Sequence, residues 1–160
     1  RVTELAITPG SGIRVGAGET VKLKAAYRKD INEAEIVKWK SGNKEIATVS
    51  QEGIVRTKKS GYVKITVTGK KGSVVVHVRR APYRFTVRPK KPVLEVGKTK
   101  QIRYELPMGC YATKATYKSS NKAVATISSS GLILAKKTGS CKITVELYNG
   151  KKQGITLMVK

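Results

Sequence analysis

The sequence predicts an all-β protein made of two tandem antiparallel β-sandwiches. Three observations predict this fold: apolar residues alternate with polar ones, glycines recur at short intervals, and one long pattern occurs twice. Alternation with a period of two is typical of strands that bury one face, and the glycines mark tight turns between them. Val, Ile and Thr are abundant, as expected for strands, and no segment shows a convincing helical period.

The repeat divides the chain into two parts. Residues 39–50 match residues 117–128 at an offset of 78, and the match continues without a gap through the following strands. A register held over so many positions indicates two copies of one module. We therefore predict module 1 at residues 1–80 and module 2 at residues 81–160, joined by the short linker 79–82. About seven strands per module would form a two-sheet sandwich.

The alternation also predicts which apolar residues form the two cores. Trp39 and Tyr117 hold the same place in the repeat and are interpreted as aromatic core anchors. The predicted core residues are Val37, Trp39, Val49, Val63 and Ile65 in module 1, and Ala115, Tyr117, Ile127, Cys141 and Ile143 in module 2. The best helical candidate, residues 29–36, is short and polar.

The repeated pattern resembles the group 2 bacterial immunoglobulin-like domains. From Trp39 to Val67 it contains an aromatic residue, Ser, Asn, Ile-Ala-Thr-Val, two spaced glycines and Ile-Thr-Val, and all of it recurs. The resemblance implies two tandem immunoglobulin-like antiparallel β-sandwiches, of the kind repeated in intimin- and invasin-type adhesins. It also implies an extracellular location at the bacterial cell surface and a role as stalk or adhesive surface. The family has no shared catalytic residues to carry over.

Residues with catalytic chemistry are few. His77 is the single histidine, Asp30 is the single aspartate, and the glutamates are scattered. No paired carboxylates, metal-ligand spacing or phosphate-binding glycine loop is found. We therefore expect no enzyme activity, no cofactor and no metal site. His77 is expected to point outward from a strand.

Positive charge is the feature that indicates a partner. Lys and Arg number 33 against 10 acids, for a net charge of +23, and both halves share the excess. Such a field favours polyanions, although a solvated basic surface is the alternative. Five lysine pairs recur at the repeat offset, which duplication alone would also explain. The predicted polyanion-binding residues are Lys40, Lys44, Lys58, Lys59, Lys64, Lys118, Lys122, Lys136, Lys137 and Lys142.

Both cysteines lie in module 2. Cys141 takes the place of Val63 on the inward face of a strand, and Cys110 lies in a loop. An exported protein would permit a disulfide between them if the loop folds over the sandwich edge. The alternative is a buried, inert Cys141 and an exposed loop thiol.

Three functions fit these features. The first is a non-catalytic module of a secreted or cell-surface protein that acts as a stalk or spacer and adheres to anionic glycan, host surface or cell-wall polymer. The alternatives are an accessory domain of a secreted polysaccharide-degrading enzyme and a nucleic-acid-binding protein. Nucleic acid is less favoured, because recognition of single strands requires exposed aromatic residues among the basic ones. Here the aromatic residues fall largely at core-type or loop positions, and Tyr62 is the clearest exception that faces outward from a strand. No membrane span is predicted, and we expect a monomeric fragment of a larger protein.

Overall fold

The computed structural model describes residues 5–10, 12–27, 38–67 and 72–160. These residues form eighteen β-strands and no helix. They fall into two compact units, which we call unit 1 and unit 2. Unit 1 comprises residues 1–81 and 109–113, and unit 2 comprises residues 82–108 and 114–160. The helical candidate at 29–36 and the predicted core residue Val37 lie outside the described residues.

The described residues of unit 1 form nine short strands in three groups. The strands are β1 (Leu5–Thr8), β2 (Ile13–Gly16), β3 (Thr20–Lys22), β4 (Lys24–Tyr27), β5 (Trp39–Ser41), β6 (Ala47–Val49), β7 (Ile54–Thr57), β8 (Gly61–Val67) and β9 (Gly72–Arg79). A four-stranded sheet has the order β2-β9-β8-β5, a three-stranded sheet has the order β3-β7-β6, and β1 pairs with β4. Among these strands β2 and β9 pair in parallel, and the other pairs are antiparallel.

The core of unit 1 follows the predicted alternation. In β8 the residues Val63, Ile65 and Val67 are buried while Tyr62 and Lys64 are exposed. Trp39 is also buried, which confirms the strand parity predicted from the sequence. The other buried members of this core are Val15, Leu23, Ala47, Val55, Val74, Val76 and Val78.

Unit 2 repeats this plan. Its strands are β10 (Thr86–Arg88), β11 (Val93–Leu94), β12 (Thr99–Gln101), β13 (Arg103–Glu105), β14 (Ala115–Ser119), β15 (Ala125–Ile127), β16 (Leu132–Ala135), β17 (Gly139–Leu147) and β18 (Lys152–Val159). The sheets have the orders β11-β18-β17-β14 and β12-β16-β15, and β10 pairs with β13. The parallel pair is β11 with β18.

Several predicted core residues are only half-buried. Cys141 and Ile143 on the inner strand β17 are buried, but Ala115, Tyr117 and Ile127 retain part of their exposure. These three residues lie on β14 and β15, each at the edge of its sheet. Val49 on the edge strand β6 is also half-buried, but Trp39 on the edge strand β5 is buried, so an edge position alone does not set the exposure. Alternation predicts which face a side chain occupies, whereas the depth of burial depends on neighbours from both sides.

The segment Gly109–Thr113 belongs to unit 1 although it follows β13 in the sequence. The amide of Arg80 donates to the carbonyl oxygen of Gly109 at 3.2 Å, and the amide of Tyr111 donates to the carbonyl oxygen of Arg80 at 3.2 Å. The segment has no alternating pattern, so the sequence analysis did not foresee its place.

Candidate polyanion-binding surface

All ten predicted lysines are exposed, and the structure divides them into two groups. We call Lys40, Lys64, Lys118 and Lys142 the strand group, because they lie on the outer faces of the four-stranded sheets. Lys40 is paired in register with Thr66, two residues beyond Lys64 on β8. Lys118 is paired with Thr144 in the same way, two residues beyond Lys142 on β17. Each unit therefore presents two neighbouring lysines on one sheet face.

The other six lysines form the turn group, Lys44, Lys58, Lys59, Lys122, Lys136 and Lys137. In unit 1 the amides of Lys58 and Lys59 both donate to the carbonyl oxygen of Ile46, which holds their turn beside the turn of Lys44. In unit 2 the amides of Lys136 and Lys137 donate to the carbonyl oxygen of Val124. The turn group therefore occupies equivalent turns in the two units. In unit 2 it adjoins the strand group, because Lys118 and Lys122 line one cleft.

Carboxylates neutralise the turn-group lysines of unit 1 and unit 2 to different extents. Lys59 Nζ lies 3.3 Å from Glu45 Oε2, and both side chains are largely exposed. The residue that corresponds to Glu45 in unit 2 is Ala123, so the turn group there keeps its full charge. An exposed ion pair of this kind stabilises the fold by about 0–1 kcal/mol, so it tunes local charge more than stability.

A shallow groove of about 450 Å³ lies on the outer face of the four-stranded sheet in unit 2. It is lined by residues of β14, β17 and β18, among them the strand-group lysines Lys118 and Lys142 and also Lys152. Glu146 Oε2 lies 3.7 Å from Lys152 Nζ, so one of the three cations has a partner. The groove therefore keeps a net positive charge beside hydrogen-bonding groups of Thr144 and the other lining residues Gln153 and Gly154.

Gly154 shapes the floor of this groove. A Cβ at position 154 would collide with the Lys142 side chain, which lies across this strand. The open floor lets the aliphatic part of Lys142 lie along the sheet with its ammonium group at the groove. Ammonium groups arranged in this way can bind carboxylate, sulfate or phosphate oxygens.

His77 lies on the outer face of β9, as predicted, but it is half-buried. Its ring is stacked on Tyr62, with the ring centroids 4.1 Å apart and an angle of 11° between the planes. Partial burial is the main cause that lowers the pKa of His77 below its ordinary value, and the nearby positive charges of Arg79 and Arg14 lower it further. The shift favours the neutral form of the ring.

Both cysteines are buried and free in the structure. Cys110 is part of unit 1, where its thiol lies 3.7 Å from the carbonyl oxygen of Ala81. Cys141 is part of unit 2, where the Ser119 hydroxyl lies 3.8 Å from its sulfur. The expectation of an exposed Cys110 thiol was wrong, since the segment 109–113 packs in unit 1. The disulfide between the two stays a prediction.

The buried carboxylate of Glu19 was not predicted from the sequence. It accepts hydrogen bonds from the amide of Gly16 at 2.7 Å, the amide of Thr113 at 2.7 Å and the hydroxyl of Thr113 at 2.5 Å. The hydroxyl of the buried Thr57 donates to the backbone oxygen of Glu19 at 2.8 Å. The residue corresponding to Glu19 in unit 2 is the exposed Lys98, and that departure from the repeat is the signal that could have found it.

In the described residues, no group of three or more His, Cys, Asp or Glu side chains is placed to hold a metal ion. The same part of the chain forms no helix that could serve as a membrane span.

The chain belongs to the bacterial Ig-like domain (group 2) family. The sequence model of this family matches it twice, at residues 1–78 and 83–156, and together these matches cover nearly the whole chain. The fold agrees, since each unit is a sandwich of short strands with the alternating core of immunoglobulin-like domains. The predicted family and fold class are thereby confirmed.

Similar proteins include one curated relative and several solved structures. The chain is 38% identical over 66 residues to a 3-O-α-D-galactosyl-α-L-arabinofuranosidase of Bifidobacterium longum subsp. longum, over 38% of this chain and 6% of that protein. The S-layer protein SbsC is similar over 99% of this chain and 28% of its own, with 18% identity and a TM-score of 0.45. An intimin fragment in complex with the intimin-binding domain of its translocated receptor gives 14% identity over 99% of this chain and 64% of its own, with a TM-score of 0.40.

Proposed function

We propose that the chain is a non-catalytic module of a bacterial secreted or cell-surface protein, located outside the cell. In this role it spaces neighbouring domains and binds an anionic glycan or cell-wall polymer. The spacer role is supported by the family and by two units that each have their own buried core. A spacer role of this kind does not require either unit to bind a ligand.

One observation supports adhesion: the strand group places a pair of exposed lysines on the same sheet face in both units. In unit 2 this pair borders a groove in which the Lys142 side chain lies over Gly154. A polymer with a repeated negative charge offers many groups that could bind such a lysine pair on either unit. Because these lysines are exposed, the attraction is screened by salt.

The test compares two quadruple variants of the whole chain with the same change in charge. The strand variant has Gln in place of Lys40, Lys64, Lys118 and Lys142. The turn variant has Gln in place of Lys58, Lys59, Lys136 and Lys137. Binding of heparin and of wall teichoic acid is measured by isothermal titration calorimetry at low and physiological ionic strength. We expect the strand variant to lose affinity about tenfold and the turn variant about twofold, with a shallower salt dependence for the strand variant.

Equal losses in the two variants would contradict a strand-group site. They would show that net charge alone attracts the polymer, and the spacer role would then stand without adhesion.

A second candidate is an accessory domain of a secreted polysaccharide-degrading enzyme. It is favoured by the partial match to the arabinofuranosidase, which covers 38% of this chain. This function predicts binding of a neutral arabinose-containing polysaccharide that is insensitive to salt. Calorimetry with such a polysaccharide at both ionic strengths distinguishes it from polyanion binding.

A further inference from the structure

The outer face of the four-stranded sheet in unit 1 carries a row of planar side chains. Tyr62 on β8 is opposite His77 on β9, and His77 is opposite Arg14 on β2. The Tyr62 and His77 rings are stacked, and the Arg14 guanidinium carbon lies 6.0 Å from the ring centroid of Tyr111. Neighbouring strands therefore hold the stacked pair and the guanidinium side by side across the sheet.

Tyr62 ends this row with an accessible ring. It is 67% exposed, so His77 covers one face of the ring and the other remains open to solvent. Val75, diagonal to Tyr62 on β9, is also an exposed apolar residue on the same face. Neither side chain contributes to the core of unit 1, so packing does not require an aromatic residue at position 62.

The charge around the ring is entirely positive on this sheet face. Among the described residues of β2, β5, β8 and β9, the outward positions hold four cationic side chains and no carboxylate. The four cations are Arg14, Lys40, Lys64 and Arg79. A ligand that covers the Tyr62 ring is therefore favoured if it carries negative charge.

The repeat supplies an internal comparison. At the position of Tyr62, unit 2 has Ser140, and the residue paired with it on β18 is Met158. Two copies of one module thus share the strand-group lysines, but only unit 1 has the aromatic pair. Inheritance through duplication explains the shared lysines and does not explain Tyr62 with His77.

We infer that the outer sheet face of unit 1 is a binding site for an acidic sugar residue of an anionic glycan. The apolar face of the pyranose ring packs on Tyr62, and Arg14 and Lys64 bind its carboxylate or sulfate group. This inference rests on the proposed adhesion to anionic glycan and names the site that reads the sugar. Glycan is favoured over single-stranded nucleic acid, because binding successive bases requires several open aromatic faces and this row offers one.

The experiment uses the whole two-unit chain and two anions of matched length. One is a sulfated uronic acid-containing oligosaccharide prepared from heparin, and the other is inorganic polyphosphate, which has charge but no sugar ring. We expect Tyr62→Ala to weaken oligosaccharide binding about tenfold, the factor that one stacked ring contributes, and to leave polyphosphate binding unchanged. Tyr62→Phe is expected to retain most of the affinity, because it keeps the ring.

Tyr83→Ala is the matched control, because Tyr83 is another tyrosine that is more than half exposed, and it lies beside Arg84. It is expected to change neither affinity. The emission of Trp39, the single tryptophan, checks that each variant keeps unit 1 folded.

Three results would overturn the inference. The first is an unchanged oligosaccharide affinity in Tyr62→Ala, and the second is an equal loss for both anions. The third is a single-stranded oligonucleotide that binds more tightly than the oligosaccharide and depends on Tyr62. In each case the wild-type chain still binds polyphosphate, so the failure concerns the sugar site. A wild-type chain that binds neither anion would overturn the proposed adhesion, and the sugar site with it.

Discussion

The aromatic residue that opens the repeat is buried in unit 1 and half-buried in unit 2. Trp39 is 7% exposed, and its ring packs against Gly53. Tyr117 packs against the corresponding glycine, Gly131, and burial raises the pKa of its hydroxyl above the ordinary value. A cleft of about 420 Å³ lies beside Tyr117. Two copies of one sequence pattern thus build the same fold with anchors that are buried to different depths.

The glycines beneath the two anchors differ in what surrounds them. Gly53 and Gly131 have nearly equal φ angles of +83° and +85°. Their carbonyl oxygens each accept a 2.8 Å hydrogen bond, from the amide of Leu23 and the amide of Ile102 respectively. A Cβ on Gly53 would collide with the backbone oxygen of Leu23. The atoms nearest to a Cβ on Gly131 would be side-chain atoms of Tyr117 and Gln101, at 3.0 and 3.1 Å. Unit 1 is therefore tighter around its anchor than unit 2.

The largest expected effect comes from removing the two anchors. Trp39→Ala is expected to lower the free energy of unfolding of unit 1 by about 3–5 kcal/mol, because it empties a buried site of an indole ring. Tyr117→Ala is expected to cost unit 2 about 1–2 kcal/mol, because part of that ring is already in water. Hydrogen exchange measured by mass spectrometry in the whole chain resolves the two units and does not need the lost tryptophan.

Equal costs for the two anchors would contradict the difference in depth. Trp39→Phe serves as a control that keeps an aromatic ring and is expected to cost less than Trp39→Ala.

A smaller effect is expected at the glycines. Gly53→Ala is expected to destabilise unit 1 by about 3 kcal/mol, because the methyl group collides with a backbone oxygen that cannot rotate away. Gly131→Ala should cost unit 2 about 1–2 kcal/mol, since the backbone strain is the same but the neighbouring side chains can move. Urea unfolding followed by hydrogen exchange gives both values. A Gly131→Ala cost as large as that of Gly53→Ala would show that the positive φ, not the neighbours, sets the penalty.

The sequence predicted the fold better than the details of the site. The alternation placed Trp39, Ile65 and Ile143 in the cores, because a period of two depends only on backbone geometry. It overestimated the burial of Tyr117 and Ile127, because the depth of burial is not encoded in the period of one strand. The neighbours that cover a side chain come from distant parts of the chain, and Trp39 is buried although β5 is an edge strand like β14.

Prediction of the candidate site was limited in the same way. Repetition identified the lysines, but only the strand register separates the strand group from the turn group. The stack of Tyr62 on His77 also depends on register, since fifteen residues separate the two in sequence. Cys110 lies in a segment without alternation, so nothing in the sequence placed it in unit 1.

The smallest expected loss of stability concerns a turn that both units share. In unit 1 the amide of Thr57 donates to the backbone oxygen of Glu19, and in unit 2 the amide of Ala135 donates to that of Lys98. Only the side chains differ: the Glu19 carboxylate is buried and accepts three hydrogen bonds, whereas Lys98 is exposed.

Glu19→Ala is therefore expected to destabilise unit 1 by about 2 kcal/mol, because it leaves the amides of Gly16 and Thr113 and the hydroxyl of Thr113 without their acceptor. Lys98→Ala is expected to change the stability of unit 2 by less than about 0.5 kcal/mol. Glu19→Gln keeps the volume but offers one acceptor oxygen, so it should fall between the wild type and Glu19→Ala. Trp39 emission reports the urea midpoint of unit 1, and hydrogen exchange reports that of unit 2. If Glu19→Ala unfolds at the wild-type midpoint, water replaces the carboxylate at no cost, and the two turns are equivalent despite their different side chains.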